Sequence, residues 1–143
     1  LASRCAGISG ATGGQYADLF EKGRDWETIE WIINQKTGTL FEVAFAFGWI
    51  FGGGALDRLD EIKKLAYHFG MAFQIGDDLL DFKEDSKHKN PINTALCLGK
   101  EEALKRCLRE IERFKEGLKA LNLETKGFEE LLQKLQALAV LAP

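Results

Sequence analysis

Three aspartates, Asp77, Asp78 and Asp81, sit inside the segment FQIGDDLLDF (Phe73–Phe82), one of the most apolar parts of the chain. Carboxylates are costly to remove from water, and like charges side by side make one another costlier. On a helical wheel at about 100° per residue, Gln74, Asp77, Asp78 and Asp81 fall within one arc of roughly 100°. Tyr67 and Gly70 lie earlier on that arc, and nearly everything else from Leu65 to Phe82 is apolar. The pattern describes a central helix with one narrow acidic strip facing a cavity. Phe73 and Leu80 border the strip on one side, Met71 and Phe82 on the other. Hard oxygen donors at this spacing suit Mg²⁺, which keeps several waters and completes its shell with a substrate's phosphate oxygens. Asp77 and Asp81, one turn apart, can grip one ion or a close pair. A solvated helix end is the commonplace source of a DDxxD pattern, and the apolar wheel argues against it. An EF-hand is excluded, because Asp81 to Asp85 lacks the D-x-D-x-D-G spacing.

A cationic counterpart lies upstream in QKTGTLF (Gln35–Phe41). Lys36 stands where a polar helix front becomes a long apolar run, so its ammonium can enter a cavity while its stem packs. Thr37 adds a hydroxyl one residue on. Lysine, hydroxyl and Mg²⁺ together are a recurring recipe for polyphosphate, although a lysine snorkelling from a helix flank gives the same local pattern. No glycine-rich stretch leads into GK[ST], so a P-loop is absent. Neither a Ser-His-Asp nor a Cys-His arrangement can be argued.

Positioning these groups falls to helices. With only Pro91 and Pro143 and with helical periodicity almost throughout, the chain is read as all-α. The expected elements are a first helix over 1–20 and a second from Asp25 or Thr28 to about Phe51. A third opens at Asp57 or Asp60 and reaches at least Asp81. A polar loop over Lys83–Asn90 follows, then a short helix capped by Asn90-Pro91 and ended by Gly99. Two amphipathic helices, Glu101 to about Leu121 and Phe128 to Leu141, complete the chain. Gly7, Gly10, Gly13 and Gly14 weaken the first helix at about 1 kcal/mol each, so they imply close packing or room for a ligand.

The 143 residues, 45% of them apolar, suffice for one core. A net charge of −3 without a basic tract argues against nucleic acid. The segment VAFAFGWIFGGGAL (Val43–Leu56) falls short of the roughly 20 residues a spanning helix needs and reads as a buried core helix. Cys5, Cys97 and Cys107 show no CxxC and read as free thiols of a reducing, cytoplasmic compartment rather than zinc ligands. His68 and His88 share no metal-ligand spacing, and His68 reads as a helix-surface or interface residue. The first residue is Leu1 rather than Met, which suggests a fragment or a processed or trimmed product.

Taken in order, Gly13-Gly14-Gln15-Tyr16-Ala17-Asp18-Leu19, Lys36-Thr37-Gly38, Phe73–Asp81 and Gly99-Lys100-Glu101-Glu102-Ala103 resemble the trans-isoprenyl diphosphate synthases, the farnesyl and geranylgeranyl diphosphate synthase family. The resemblance covers essentially all of residues 1–143, but only the C-terminal part of that family's helical domain. It implies an isoprenoid-synthase-type helical bundle around a central cavity, usually dimeric. It also implies Mg²⁺-dependent condensation of an allylic diphosphate with isopentenyl diphosphate. By position, Asp77, Asp78 and Asp81 would be the second aspartate-rich, metal-binding motif, with Asp77 essential to catalysis. Lys36, Thr37 and Gln74 would contact the allylic diphosphate or its developing cation, and Gln15 and Asp18 would lie near the cavity. A phenylalanine-rich well is expected from Phe41, Phe45, Phe73 and Phe47, with ordinary core packing as the alternative for each.

Two departures stand out. The first aspartate-rich motif of the family and the groups that hold isopentenyl diphosphate belong to an upstream half that these residues do not contain. In the loop after Asp81 the family's Gly-Lys is missing, and Lys87 and Lys89 are the available substitutes for its phosphate-binding lysines. The expected partners are therefore isoprenoid diphosphates and either a second copy, the missing half or another subunit. If that half is absent, apolar faces of the first three helices should be bare. A non-catalytic partner subunit and a terpene cyclase, which ionises its substrate the same way, are the competing functions.

Overall fold

A computed structural model of the chain describes residues 1–87 and 92–141. Its elements in order are α1 (Ala2–Ala6), α2 (Ala11–Phe20), α3 (Trp26–Ile33), a π turn (Asn34–Gly38), α4 (Thr39–Phe51), a 3₁₀ turn (Leu56–Arg58), α5 (Leu59–Leu80), α6 (Phe82–Asp85), α7 (Thr94–Leu98), α8 (Lys100–Ala120) and α9 (Lys126–Leu141). Among the described residues there is no strand, as the periodicity predicts.

The central rod is α5, which packs along α8, α4, the π turn and α9. Its burial is not confined to one stripe: Ile62, Leu65, Ala66, Phe69, Met71, Ala72, Ile75 and Leu79 are all inside. By contrast α8 buries Ala103, Cys107, Ile111, Phe114 and Leu118, the three-and-four spacing of an amphipathic helix, and turns its charges outward except for Glu110, which is buried. Phe114 is fully buried where its ring meets Phe45, Phe69 and Phe128 from α4, α5 and α9.

Several expected boundaries move. The single helix over 1–20 is two helices. Backbone atoms of Cys5 and Ile8 lie where a β-carbon on Gly10 or Gly13 would go, so the chain turns tightly there. The helix from Asp25 does run to Phe51, with Asp25 capping it through bonds from Thr28 N (3.0 Å) and Thr28 Oγ1 (2.9 Å), but a π turn interrupts it midway. Part of the polar loop is the helical turn α6. The Asn90-Pro91 cap lies outside the described residues; α7 is capped by Asn93, whose side chain accepts from Leu96 N at 3.0 Å, and it ends at Gly99 as expected.

The long apolar segment is only half a core helix. Ala46 is buried, but Leu40, Phe47, Ile50 and Phe51 of α4 are exposed, Phe51 at 83%. On α2, Tyr16, Leu19 and Phe20 are also exposed. These are bare apolar faces of the kind a covering layer normally hides. Among the described residues no helix is long and apolar enough to cross a membrane.

Two glycines set the approach of the elements that matter most. A β-carbon on Gly70 would lie 3.2 Å from Gly38 Cα, so α5 crosses the π turn glycine against glycine. A β-carbon on Gly14 would lie 2.3 Å from Lys36 N, so α2 rests directly on the same turn. Close helix packing is thus the reason for Gly14. Gly14→Ala is expected to lower the unfolding free energy by about 2 kcal/mol, read as a drop in the urea midpoint.

Candidate functional site

A π turn carries one residue more than an α turn, which shifts the side chains that follow and favours functional positions. Here it sends Lys36 and Thr37 to different partners. Lys36 Nζ donates to Asp18 Oδ2 of α2 at 2.6 Å, and Thr37 Oγ1 donates to Gln74 Oε1 of α5 at 2.9 Å. The motifs read separately in the sequence are therefore in contact.

From Gln74 the hydrogen bonds continue. Gln74 Nε2 donates to Asp78 Oδ1 at 3.0 Å, and Thr94 donates to Asp78 Oδ2 twice, from its backbone N at 2.7 Å and its Oγ1 at 2.6 Å. Asn93, fully buried, donates from Nδ2 to the Asp78 carbonyl and to Asp85 Oδ2, each at 2.8 Å. Burial pushes the Asp78 carboxyl up to about 6, against the opposing pull of the Thr94 and Gln74 bonds.

The three aspartates consequently differ. Asp78 points inward and is tied to α7. Asp77 is half-buried; burial raises its carboxyl above the ordinary value, the charges of Asp81 and Asp85 raise it further, and Lys36 opposes them. Asp81 caps α5, its backbone N bonded to the Asp77 carbonyl at 2.9 Å, and its side chain is exposed. Among the described residues no three His, Cys, Asp or Glu side chains are gathered into a set able to hold a metal. A closed all-protein cage is thus not built. Mg²⁺ does not require one, since one or two carboxylates suffice when waters and phosphate supply the rest. Asp77 and Asp81 fit that pattern as hard oxygen donors one turn apart whose mutual repulsion a cation relieves.

The remaining expected groups scatter more. Gln15 and Lys87 are exposed, and Lys89 lies outside the described residues. Phe41 and Phe73 do line one apolar cavity of about 400 Å³, together with Phe69 of α5 and Leu131, Leu135 and Leu138 of α9. Phe73 lies one turn before Asp77, on the same face of α5. Phe45 belongs to a second cavity of about 450 Å³, with Trp49, Ile62 and Phe128, whereas Phe47 lines neither and leans on Phe51 at the surface. His68 is an interface residue, its Nδ1 bonded to Glu110 Oε2 of α8 at 2.6 Å. Cys5, Cys97 and Cys107 are free thiols.

Sequence reasoning missed Asn93, Thr94 and Asp85. The available signal was an Asn-Thr pair at a helix start, but Asn90-Pro91 offered a more conventional cap three residues earlier.

A helical half-bundle whose central rod bears an acidic edge beside a lysine is a known shape. It superposes on a solved FPP/GFPP synthase from Zymomonas mobilis with a TM-score of 0.75 and 26% identity, covering 96% of this chain and 48% of that one. A family model described as Polyprenyl synthetase matches residues 6–101, and the chain belongs to the polyprenyl synthetase family. Among its relatives from Arabidopsis thaliana, the heterodimeric geranylgeranyl pyrophosphate synthase large subunit 1, chloroplastic, is 34% identical over 90 residues, which are 59% of this chain and 24% of that protein. Geranylgeranyl pyrophosphate synthase 10, mitochondrial, is 30% identical over 145 residues, or 94% of this chain and 41% of its own length. The chain thus spans well under half of these relatives and about half of the solved structure. Those plastid and mitochondrial names lend no support to a cytoplasmic location.

Proposed function

We propose that this chain supplies the allylic-diphosphate and metal edge of a prenyltransferase that condenses an allylic diphosphate with isopentenyl diphosphate. The observation that carries the reading is the junction of the π turn with α5. There the Thr37 hydroxyl meets Gln74, and Lys36 lies near enough to Asp77 to pull on its carboxyl. In this proposal Asp77 and Asp81 hold Mg²⁺, whose contribution when bound is to neutralise the departing diphosphate. Lys36 donates to phosphate oxygens, and Thr37 does so only when its single hydroxyl proton turns away from Gln74. Gln74 uses one polar end on Thr37 and the other on Asp78, so its part is to align those two rather than to reach the substrate first. Asp78 anchors α5 to α7 through Thr94. The apolar cavity below Phe73 excludes water from the cation's side of the site.

Titration of the chain with inorganic pyrophosphate tests this directly by calorimetry. Binding is expected only with Mg²⁺ present, and Lys36→Ala is expected to weaken it by about tenfold or more. Magnesium-independent binding, or an unchanged Lys36→Ala, would refute the reading.

A second reading, a non-catalytic partner subunit, draws on the bare faces of α2 and α4 and on a relative whose name describes a heterodimeric synthase. Size analysis separates the two: turnover by a homo-oligomer of this chain excludes it, and turnover only with another synthase subunit favours it.

A further inference from the structure

Asp18 touches Lys36 but has no task in the function proposed above. It sits on α2 one turn after Gly14, and its Oδ2 receives the Lys36 ammonium at 2.6 Å. The two side chains are 19% and 35% exposed, so the pair is half-buried. Exposed lysine–carboxylate pairs contribute little, largely because two long side chains must be held in one geometry. This pair differs because both backbones are already fixed. Gly14 brings α2 so close that a β-carbon there would lie 2.3 Å from Lys36 N, and the π turn between α3 and α4 sets where the lysine stem leaves the backbone. The same ammonium acts on Asp77 across the site.

We propose that Asp18 is a positioning residue for Lys36. It holds the ammonium at the rim of the Asp77 edge before a diphosphate arrives, and it acts on the ligand only through that lysine. An ammonium has three N–H donors. One engaged by Asp18 leaves two for phosphate oxygens, and the freedom of the four-carbon stem is lost on folding rather than on binding. Position, rather than the carboxylate's charge, is the contribution, because a negative charge at Asp18 by itself repels a diphosphate. The inference rests on the proposed function and extends it to a residue with no direct ligand contact.

The test is a double-mutant cycle in the 143-residue chain, read by calorimetric titration with Mg²⁺ and inorganic pyrophosphate. Asp18→Ala is expected to weaken binding about tenfold, and to have no further effect when Lys36 is already alanine. Asp18→Asn keeps an oxygen acceptor and is expected to restore affinity to within about threefold of the parent. A second measurement needs no ligand: the rate of Lys36 acylation by a small amine reagent, followed by mass spectrometry. That rate is expected to rise about tenfold in Asp18→Ala, where nothing holds the lysine against α2. Equal losses in both Lys36 backgrounds would make Asp18 merely structural, and an unchanged acylation rate would show that it does not hold the lysine. Either result overturns the assignment while leaving the proposed function standing. Parent protein that binds no Mg²⁺–pyrophosphate, or binds it equally as Lys36→Ala, instead overturns the proposed function and this inference with it, whatever the acylation rates.

Discussion

Asp77→Ala is expected to abolish Mg²⁺-dependent pyrophosphate binding by this chain. Wherever the chain supports turnover, alone or with a partner, the same change is expected to lower it about a thousandfold, some 4 kcal/mol of barrier. The argument begins with where the carboxyl sits. It is half-buried, and it shares its edge with Asp81 and Asp85, both of which raise its proton affinity. A group so placed gains most from a nearby cation. Acidification should accordingly weaken Mg²⁺ binding sooner than it would for an isolated carboxylate, because a carboxyl held above its ordinary value takes up its proton at a higher pH. Removing it also relieves repulsion, so the urea midpoint of Asp77→Ala should stay level or rise while binding disappears. Loss of binding with retained or improved stability is an outcome that a purely structural aspartate does not give. A variant that binds Mg²⁺–pyrophosphate like the parent would end the metal-edge reading.

That expectation was legible in the sequence because Gln74, Asp77, Asp78 and Asp81 share one arc of a stretch, Leu65–Phe82, that is otherwise nearly all apolar. Periodicity reports such contrasts well. It located α5 and α8, and it placed Asp77 and Gln74 on a common arc; the structure adds that the arc meets Lys36 and Thr37. What periodicity cannot report is a change of helical period. The extra residue at Asn34–Gly38 leaves no hydrophobic mark, since the turn itself is polar and both flanks remain helical, yet it decides that Lys36 reaches Asp18 while Thr37 reaches Gln74. A wheel likewise cannot separate neighbours on one arc. Asp77 and Asp78 differ by one residue, but only Asp78 faces α7, and that depends on a chain segment returning from 15 residues downstream. Which side of α4 is bare was hidden for a related reason: a helix apolar all round gives no wheel contrast to say which face meets the core and which would meet a covering layer. The coverage of about half the solved relative agrees with those bare faces, as does the expectation that the first helices would lack cover.

The anchoring role given to Asp78 makes the second large effect one of stability. Asp78→Leu would leave Thr94 N, Thr94 Oγ1 and Gln74 Nε2 as donors facing an apolar side chain. Each buried donor left without a partner costs about 1–3 kcal/mol, so a total of roughly 4 kcal/mol is expected in urea denaturation. Asp78→Asn should behave quite differently. Its amide oxygen can accept from Thr94 as the carboxylate does, but its NH₂ then faces the NH₂ of Gln74. A flip of Gln74 resolves the conflict: Oε1 turns to accept from the introduced amide, and Nε2 turns to donate to Thr37 Oγ1, which has lone pairs to receive it. The buried charge also disappears, and burial is the first reason the Asp78 carboxyl is pushed up. Asp78→Asn is therefore expected within about 1 kcal/mol of the parent. The flip has a consequence at the site, because Thr37 changes from donor to acceptor towards Gln74 and its hydroxyl proton is freed. If the chain of bonds from Thr37 through Gln74 to Asp78 is what aligns the two motifs, Asp78→Asn should keep its fold and yet bind Mg²⁺–pyrophosphate with altered affinity. Adding Gln74→Ala to it should then remove any difference that Asp78→Asn made. A fold weakened as much by asparagine as by leucine would show instead that the carboxylate's charge, and not its hydrogen bonds, holds α7 in place.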